Sequence, residues 1–474
     1  MDVDFLMIKH SLFLVFISLF ISCSPVLRKK NIPKFDKEIE VKELKDYPKN
    51  FEEGEQKNKA NSKSYYISNK KDIRVSIING VKSFRFNLKG SFVLNSKTIL
   101  NSGSYSVSKY GKLIRLYKGR NRINTLSSIE LYPVNETSSF TIKSKRVGKG
   151  SHWSSRKSIS FSGELIIKNR KSLIAVNSIS IEEYLKGVVP SEMPAKSPIE
   201  ALKAQAVLAR TNAYRAIIDR ENSDYDILSS VYDQAYYGNN KRTEKTDRAV
   251  ELTKNIILTY NNEPITAFFH AVSGGRTNYS KDVWKGIDLD YIEPVWTTKT
   301  TPSLNLSLED EFRLYIDTKF PSYFDLKSYN SDQSLEYLFK YYRWNLKSSS
   351  SEISKNIKRK FRKNLGRVEN IFVKSRNRSG KVTKLEIVGT KGLLVLDNEL
   401  EIRKSLSKNS LYSSNFYVIK RGEIFTFYGS GHGHGAGMCQ ASAIGLGLEG
   451  GSSDKILKFF YPKAQISRVR IIDS

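Results

Sequence analysis

Glu192 is the side chain whose setting points most directly to chemistry. It lies in Leu185-Lys-Gly-Val-Val-Pro-Ser-Glu-Met-Pro194, a lone carboxylate among Val188, Val189, Met193 and two prolines. Apolar neighbours strip water from a carboxylate, raise its pKa and suit it to general acid work. Pro190 and Pro194 interrupt regular structure, which predicts a stiff loop for Glu192 at the mouth of the helix that follows. Three of the chain's 5 histidines, His270, His432 and His434, fall in glycine-rich turns, at His270-Ala-Val-Ser-Gly-Gly275 and Gly429-Ser-Gly-His-Gly-His-Gly-Ala-Gly-Met-Cys-Gln440. Glycine at alternate positions permits positive φ and lets backbone amides turn toward a ligand. Asp233-Gln-Ala-Tyr236 lies between them. Amides and aromatics together are what a saccharide site needs, hydrogen bonds for hydroxyls and a flat face for the ring. By ligand type alone, His270, His432, His434 and Cys439 also suit zinc.

These groups need elements to hold them. Ser197, Pro198 and Glu200 read as N-cap, first helical residue and capping-box partner of a helix from about Pro198, with Leu202, Ala206, Ala209, Ala213 and Ile217 as its apolar stripe. A second helix runs from about Glu244 to Lys254, and Pro264 to His270 reads as a buried strand ending on the histidine. Short alternating runs between Asp72 and Ile181 (IRVSII, FRFNL, KLIRLY, ELIIKN) predict antiparallel β-structure. Ser348 to Ser354 is low in complexity and predicts a mobile edge. Later alternating strands, a short helix at ELEIRKSL and a small-residue helix after Gln440 complete the chain. The expected fold class is α+β: a β-rich N-terminal part, central helices carrying the catalytic loop, and a mixed C-terminal part closing the same cleft. The expected boundaries are a signal segment over 1–23, a flexible tether over 24–70, a β-rich subdomain over 71–182, a catalytic core over 183–300, an insertion with a β-rich subdomain over 301–420, and the Gly/His loop with its helices over 421–474.

The N-terminus fixes the expected compartment. Lys9 and His10 precede an apolar run from Ser11 to Ile21, too short for a stable transmembrane helix but suited to a signal segment. A small residue before Cys23 is similar to a lipoprotein cleavage site, which predicts export with lipidation at Cys23 and a membrane anchor; Phe20 and Ile21 are looser than that pattern, so an uncleaved anchor and plain secretion stay as alternatives. With 2 cysteines in all, a lipidated Cys23 leaves Cys439 without a disulfide partner. The chain has 474 residues and a formal net charge of +30, which suits nucleic acid, anionic lipid or an acidic wall polymer as surroundings. The lysine excess accompanies many Asn and Ile residues, so charge alone assigns no partner, and an export signal speaks against nucleic acid.

EYLKGVVPSEMP, followed by ALKAQAVLARTNAY, resembles the core of the SpoIID/LytB family, the sporulation stage II protein D and amidase-enhancer group that acts on bacterial peptidoglycan. The resemblance continues through Asp233-Gln-Ala-Tyr236, where Asp233 replaces a serine; through Phe269-His-Ala-Val-Ser-Gly-Gly-Arg-Thr277; and through the Gly429 to Gln440 loop, where His432 replaces a common tryptophan and Cys439 a serine. It implies lytic transglycosylase activity: cleavage of the MurNAc-GlcNAc β-1,4 bond with 1,6-anhydroMurNAc ends, Glu192 acting as acid and then base. It also implies a substrate-binding set of Gln205, Arg210, Asp233, Gln234, Tyr236, His270, Ser273, Gly274, Gly275, His432, His434, Gly435, Met438 and Gln440, with Arg210 steadying the base of the helix. Some members hold zinc through a histidine and nearby cysteines. Those cysteines are absent here, so no cofactor is expected and zinc stays as the alternative. The expected partners are peptidoglycan glycan strands and, in a second reading, a cell-wall N-acetylmuramoyl-alanine amidase that the chain would enhance without catalysis of its own.

Overall fold

The computed structural model describes residues 41–43, 63–68, 72–147, 155–230, 233–326 and 332–472. The expected signal segment, Cys23 and most of the tether lie outside the described residues. Among the described residues no helix is long and apolar enough to cross a membrane.

The fold is α+β. Its N-terminal part is built, among the described residues, on two sheets. A 7-stranded sheet runs in the order Ile227–Leu228, Ile73–Val81, Leu173–Ile179, Glu164–Asn169, Ser128–Pro133, Phe92–Leu94 and Thr98–Leu100. A 6-stranded sheet runs Ser155–Phe161, Ser139–Val147, Ser83–Lys89, Gly103–Tyr110, Leu113–Lys118 and Asn121–Leu126. The period-2 pattern explains both: Leu165 and Ile167 are buried while Glu164 and Ile166 are half-buried, as alternate faces of a strand require. Phe86, Phe140 and Phe161 of one sheet share a single apolar core with Leu131, Leu165 and Ile167 of the other.

Strand Leu173–Ile179 is buried at every position and delivers the chain to helix α1, Ile181–Glu192. Ser180 caps α1 by accepting the Glu183 amide. The loop expected around Glu192 is instead the end of this helix, because Pro190 sits inside α1. The helix tolerates the proline in its last turn, where the Ser191 hydroxyl donates to the Gly187 carbonyl at 2.6 Å and the Met193 amide to Val189 at 3.0 Å. Gly187 faces the chain's other segment closely enough that a Cβ there would meet the Gly238 carbonyl at 2.6 Å.

Helix α2, Ile199–Asp219, begins one residue later than expected and lacks the predicted capping box. Glu200 is taken instead by the Ser453 amide at 2.6 Å and by Lys203 at 2.8 Å. Ala201 through Thr211 are almost all buried, so the first half of α2 is a core helix, while Asn212, Arg215 and Asp219 of its second half are half-buried or exposed. Arg210, wholly buried, reaches Glu182 at the start of α1 at 2.8 and 2.9 Å and the Val250 and Ile256 carbonyls at 3.1 Å. It joins α1 and α2 to helix α3, Glu244–Leu252, and to strand Ile256–Tyr260. The strand expected from Pro264 to His270 is broken into Glu263–Pro264 and Phe269–His270. Asn212 holds the intervening Ala267 by both amide atoms, at 3.0 and 2.8 Å.

After helix α4, Glu309–Asp317, a second core forms around Trp344, Ile353, Ile357, Leu385, Ile402 and Phe427. Strands Trp344–Ser349, Ile424–Gly429 and Phe416–Arg421 make one of its sheets, so its hairpin runs across the boundary expected at residue 420. The serine run expected to be a mobile edge is the end of that first strand and the start of helix α5, Ser350–Phe361, closed by a Ser349/Glu352 capping box. Helix α6 spans Glu399–Leu406, and helices α7, Gln440–Leu448, and α8, Ser453–Phe460, return to the first core. Replacing Arg210 by methionine would leave the Glu182 carboxylate and two carbonyls without their donor; a loss of about 3–5 kcal/mol in urea denaturation is the expected outcome.

Candidate active site

The Glu192 carboxyl is half-buried at the carboxyl end of α1, where the helix dipole disfavours an anion. Its Oε1 accepts the Ala235 amide at 2.5 Å. Its backbone carbonyl accepts from Gln440 Nε2 at 3.0 Å, and the same Nε2 donates to Gln205 Oε1 at 3.0 Å. Loss of water on burial pushes the carboxyl up to about 7, against the opposing pull of the Ala235 amide and the Lys241 charge.

Glu192 opens into a cleft of about 780 Å³. Of the residues singled out in the sequence, the cleft brings together Glu192, Asp233, Gln234, His270, His432, His434 and Gln440. The others support it from behind. Gln205 holds Gln440, Arg210 is spent on Glu182, and the Tyr236 hydroxyl donates to Asn177 at 2.9 Å. Ser273 pairs with Thr297 at 2.6 Å, while the Gly274 carbonyl accepts from Tyr315 and Arg343 at 3.0 Å. Gly275 donates its amide to Ser273, Gly435 accepts from the Asn278 amide, and Met438 is buried in parallel pairing with Phe269. At Gly437, φ is +68° and a Cβ would meet the Phe268 carbonyl at 2.0 Å, so the loop needs glycine there to lie flat on the strand.

The two inner histidines differ in what they leave unused. His434 Nδ1 accepts the Ala436 amide at 3.2 Å and the ring also makes a backbone hydrogen bond at Phe269. His270 Nδ1 faces the Ala436 carbonyl at 3.1 Å, and a carbonyl only accepts, so the proton sits on Nδ1. Burial lowers both rings, His434 to about 4 and His270 well below the usual range, so both are neutral near pH 7. His270 Nε2 is therefore a bare acceptor, and among the described residues it has no partner although the residue is buried. Gln234 Nε2 is likewise an unused buried donor, its Oε1 accepting the Tyr184 hydroxyl at 3.2 Å. Both residues line the cleft, and a spare acceptor and a spare donor beside aromatic rings suit a hydroxyl-rich ligand. Trp284 stacks on Phe268 with centroids 4.1 Å apart and lies 4.8 Å from His434.

The zinc set does not assemble. Among the described residues no three His, Cys, Asp or Glu side chains converge, and Cys439 Sγ is occupied by the Ser273 amide and the Ser442 hydroxyl. Asp233, which stands where the family has a serine, is held by Arg220 at 2.8 Å and by the Leu228 amide at 2.7 Å.

Asn212, Phe268, Trp284, Glu399, Arg403 and Lys404 also line the cleft and were not singled out in the sequence. Asn212 carried little signal, since Lys203, Gln205, Arg210 and Arg215 share its helix. Residues 399–404 carried none, because α6 packs into the other core through Ile402 and Leu406.

Residues 169–260 match the family model described as Stage II sporulation protein, and residues 278–437 match that of a domain of unknown function (DUF8618). The chain is 37% identical over 136 residues to an uncharacterized protein of Brachyspira hyodysenteriae, covering 28% of this chain and 37% of that one. It is 37% identical over 144 residues to the stage II sporulation protein D of Bacillus subtilis, covering 27% and 42%. To the amidase enhancer of Bacillus subtilis it is 29% identical over 295 residues, covering 59% and 39%. The chain spans about two fifths of the length of these curated relatives.

A carboxyl raised from 4.5 to about 7 binds its proton more tightly folded than unfolded, so its contribution to stability is full below pH 4.5 and is lost as pH rises through 7. Glu192→Gln removes that loss. The variant is expected to be more stable than the parent at pH 8, by up to roughly 3 kcal/mol, with the difference fading toward pH 4 in denaturant titrations.

Proposed function

Because the chain carries a domain of the SpoIID/LytB family, we propose that it acts on cell-wall peptidoglycan as a lytic transglycosylase, cutting the MurNAc-GlcNAc β-1,4 bond and leaving 1,6-anhydroMurNAc ends. The observation that carries this reading is that one carboxyl in the cleft is pushed by burial up to about 7 and, among the described residues, makes no ion pair. Asp219, Asp233 and Glu399 also line the cleft, and each is ion-paired, to Arg215, Arg220 and Lys381. A hydrolase needs a second working carboxylate to activate water or to attack carbon. A single acid suffices when the nucleophile is the sugar's own C6 hydroxyl.

In this mechanism Glu192 gives its proton to the glycosidic oxygen as the bond from C1 to that oxygen breaks, freeing the GlcNAc 4-hydroxyl. The resulting carboxylate takes the proton from the C6 hydroxyl as O6 closes on C1, so the acid is regenerated. Its pKa near 7 is matched to both steps. His270 Nε2 and Gln234 Nε2 hold sugar hydroxyls, and Trp284 offers an aromatic face for a ring. The same reading carries export and a lipid anchor at Cys23, which place the enzyme at the wall.

The amidase-enhancer relative favours a second reading, in which the cleft binds glycan and the protein assists a separate cell-wall amidase without bond cleavage.

Purified glycan strands discriminate the two. Glu192→Gln is expected to slow cleavage by about 10²–10⁴-fold, with anhydro ends from the parent protein seen by mass spectrometry, and kcat/KM is expected to fall as pH rises above about 7. Reducing ends in place of anhydro ends would mean hydrolysis. Full cellular function in Glu192→Gln, lost in His434→Ala, would favour the enhancer.

A further inference from the structure

The cations of the cleft are Arg215, Arg220, Arg403 and Lys404. Arg215 is tied to Asp219 at 3.0 Å, Arg220 to Asp233 at 2.8 Å and Arg403 to Glu399 at 3.4 Å. That pairing uses every cleft acid except Glu192 and every cleft cation except Lys404. Among the described residues the Lys404 ammonium has neither an ion pair nor a hydrogen-bond partner, and its side chain is half-buried.

The backbone beneath Lys404 is held firmly. Asn356 Nδ2 donates to the carbonyls of Lys404, Ser405 and Ser407 at 2.6, 2.9 and 2.9 Å, and Lys360 adds a bond to Lys404 at 2.9 Å. At the other end of α6, Glu399 is buried against Lys381 at 3.3 Å. A fixed helix thus presents an unspent cation to a cleft whose other charges are neutralised in pairs.

We propose that Lys404 forms a carboxylate-binding subsite of this cleft, receiving an acidic substituent of the glycan. The inference rests on the glycan reading above and adds to it a charged determinant of substrate choice, supplied by the region that matches a domain of unknown function. Peptidoglycan offers such a carboxylate from two sources, the lactyl ether of MurNAc when no peptide is attached and the acids of the stem peptide when one is.

Binding rather than turnover tests it. In the Glu192→Gln protein, Kd is measured by calorimetry for tetrasaccharides with free lactyl acids, with those acids amidated, and with stem peptides attached. Lys404→Gln is expected to weaken an acid-bearing glycan by about tenfold, as for a hydrogen bond to a charged group, and to leave the amidated glycan within about twofold. Lys404→Arg is expected to restore most of the loss. A loss confined to the free-acid sugar assigns the lactyl source, and one confined to the peptide-bearing sugar assigns the peptide. Equal losses on acid and amide, or no loss on either acid-bearing form, would overturn the subsite and leave the glycan reading standing. Failure of every glycan to bind, with Lys404 intact, would overturn both.

Discussion

The side-chain amide of Gln440 ties together three elements that also share one apolar core, α1, α2 and α7. One of its hydrogens goes to the carbonyl of Glu192 and the other to Gln205 Oε1, both at 3.0 Å. The Glu192 carbonyl ends α1 and so has no intrahelical donor, and Gln205 is an amide buried in the middle of α2. Each would be costly to leave unpaired away from water. Satisfying both from one nitrogen fixes the start of α7 against α1 and α2. The glycine loop that bears His432 and His434 immediately precedes α7, so the same bond that orients the acid brings the histidines to its cleft.

Charge in the cleft is arranged to leave the acid alone. Arginines and a lysine neutralise the neighbouring carboxylates, and burial keeps His270 and His434 without charge near pH 7. A cation close to Glu192 would lower its pKa and cost it the proton that general acid catalysis needs. Lys241 pulls weakly in that direction, and loss of water outweighs it.

Two cores share the cleft. The first supplies Glu192, Gln234 and His270; the second contributes α6, whose buried Ile402 and Leu406 face inward while Arg403 and Lys404 reach the cleft. Reaction chemistry and part of the charge pattern are thereby carried by separately packed units.

Much of this was legible in the residues. Alternating strands announced the β-rich parts, and apolar neighbours announced the raised carboxyl of Glu192, because both are properties of short stretches. Glycine spacing pointed to the His434 loop for the same reason. What local pattern could not decide was who would satisfy whom. Pro190 reads as a helix breaker, yet the Ser191 hydroxyl and the packing of Val188 and Val189 keep α1 helical to Glu192. Glu200 reads as a capping-box partner, yet Ser453 takes it. Arg210 and Tyr236 lie in motifs that suggest contact with substrate, and their polar atoms are used by Glu182 and Asn177 instead. The sequence by itself determined which groups could do chemistry and roughly what they stand on. Only the tertiary structure decided which remain unspent, since hydrogen bonds and ion pairs between residues distant in the chain consume most polar atoms and, among the described residues, leave the cleft with an acid outside any ion pair, a bare imidazole nitrogen, a spare amide and the Lys404 ammonium.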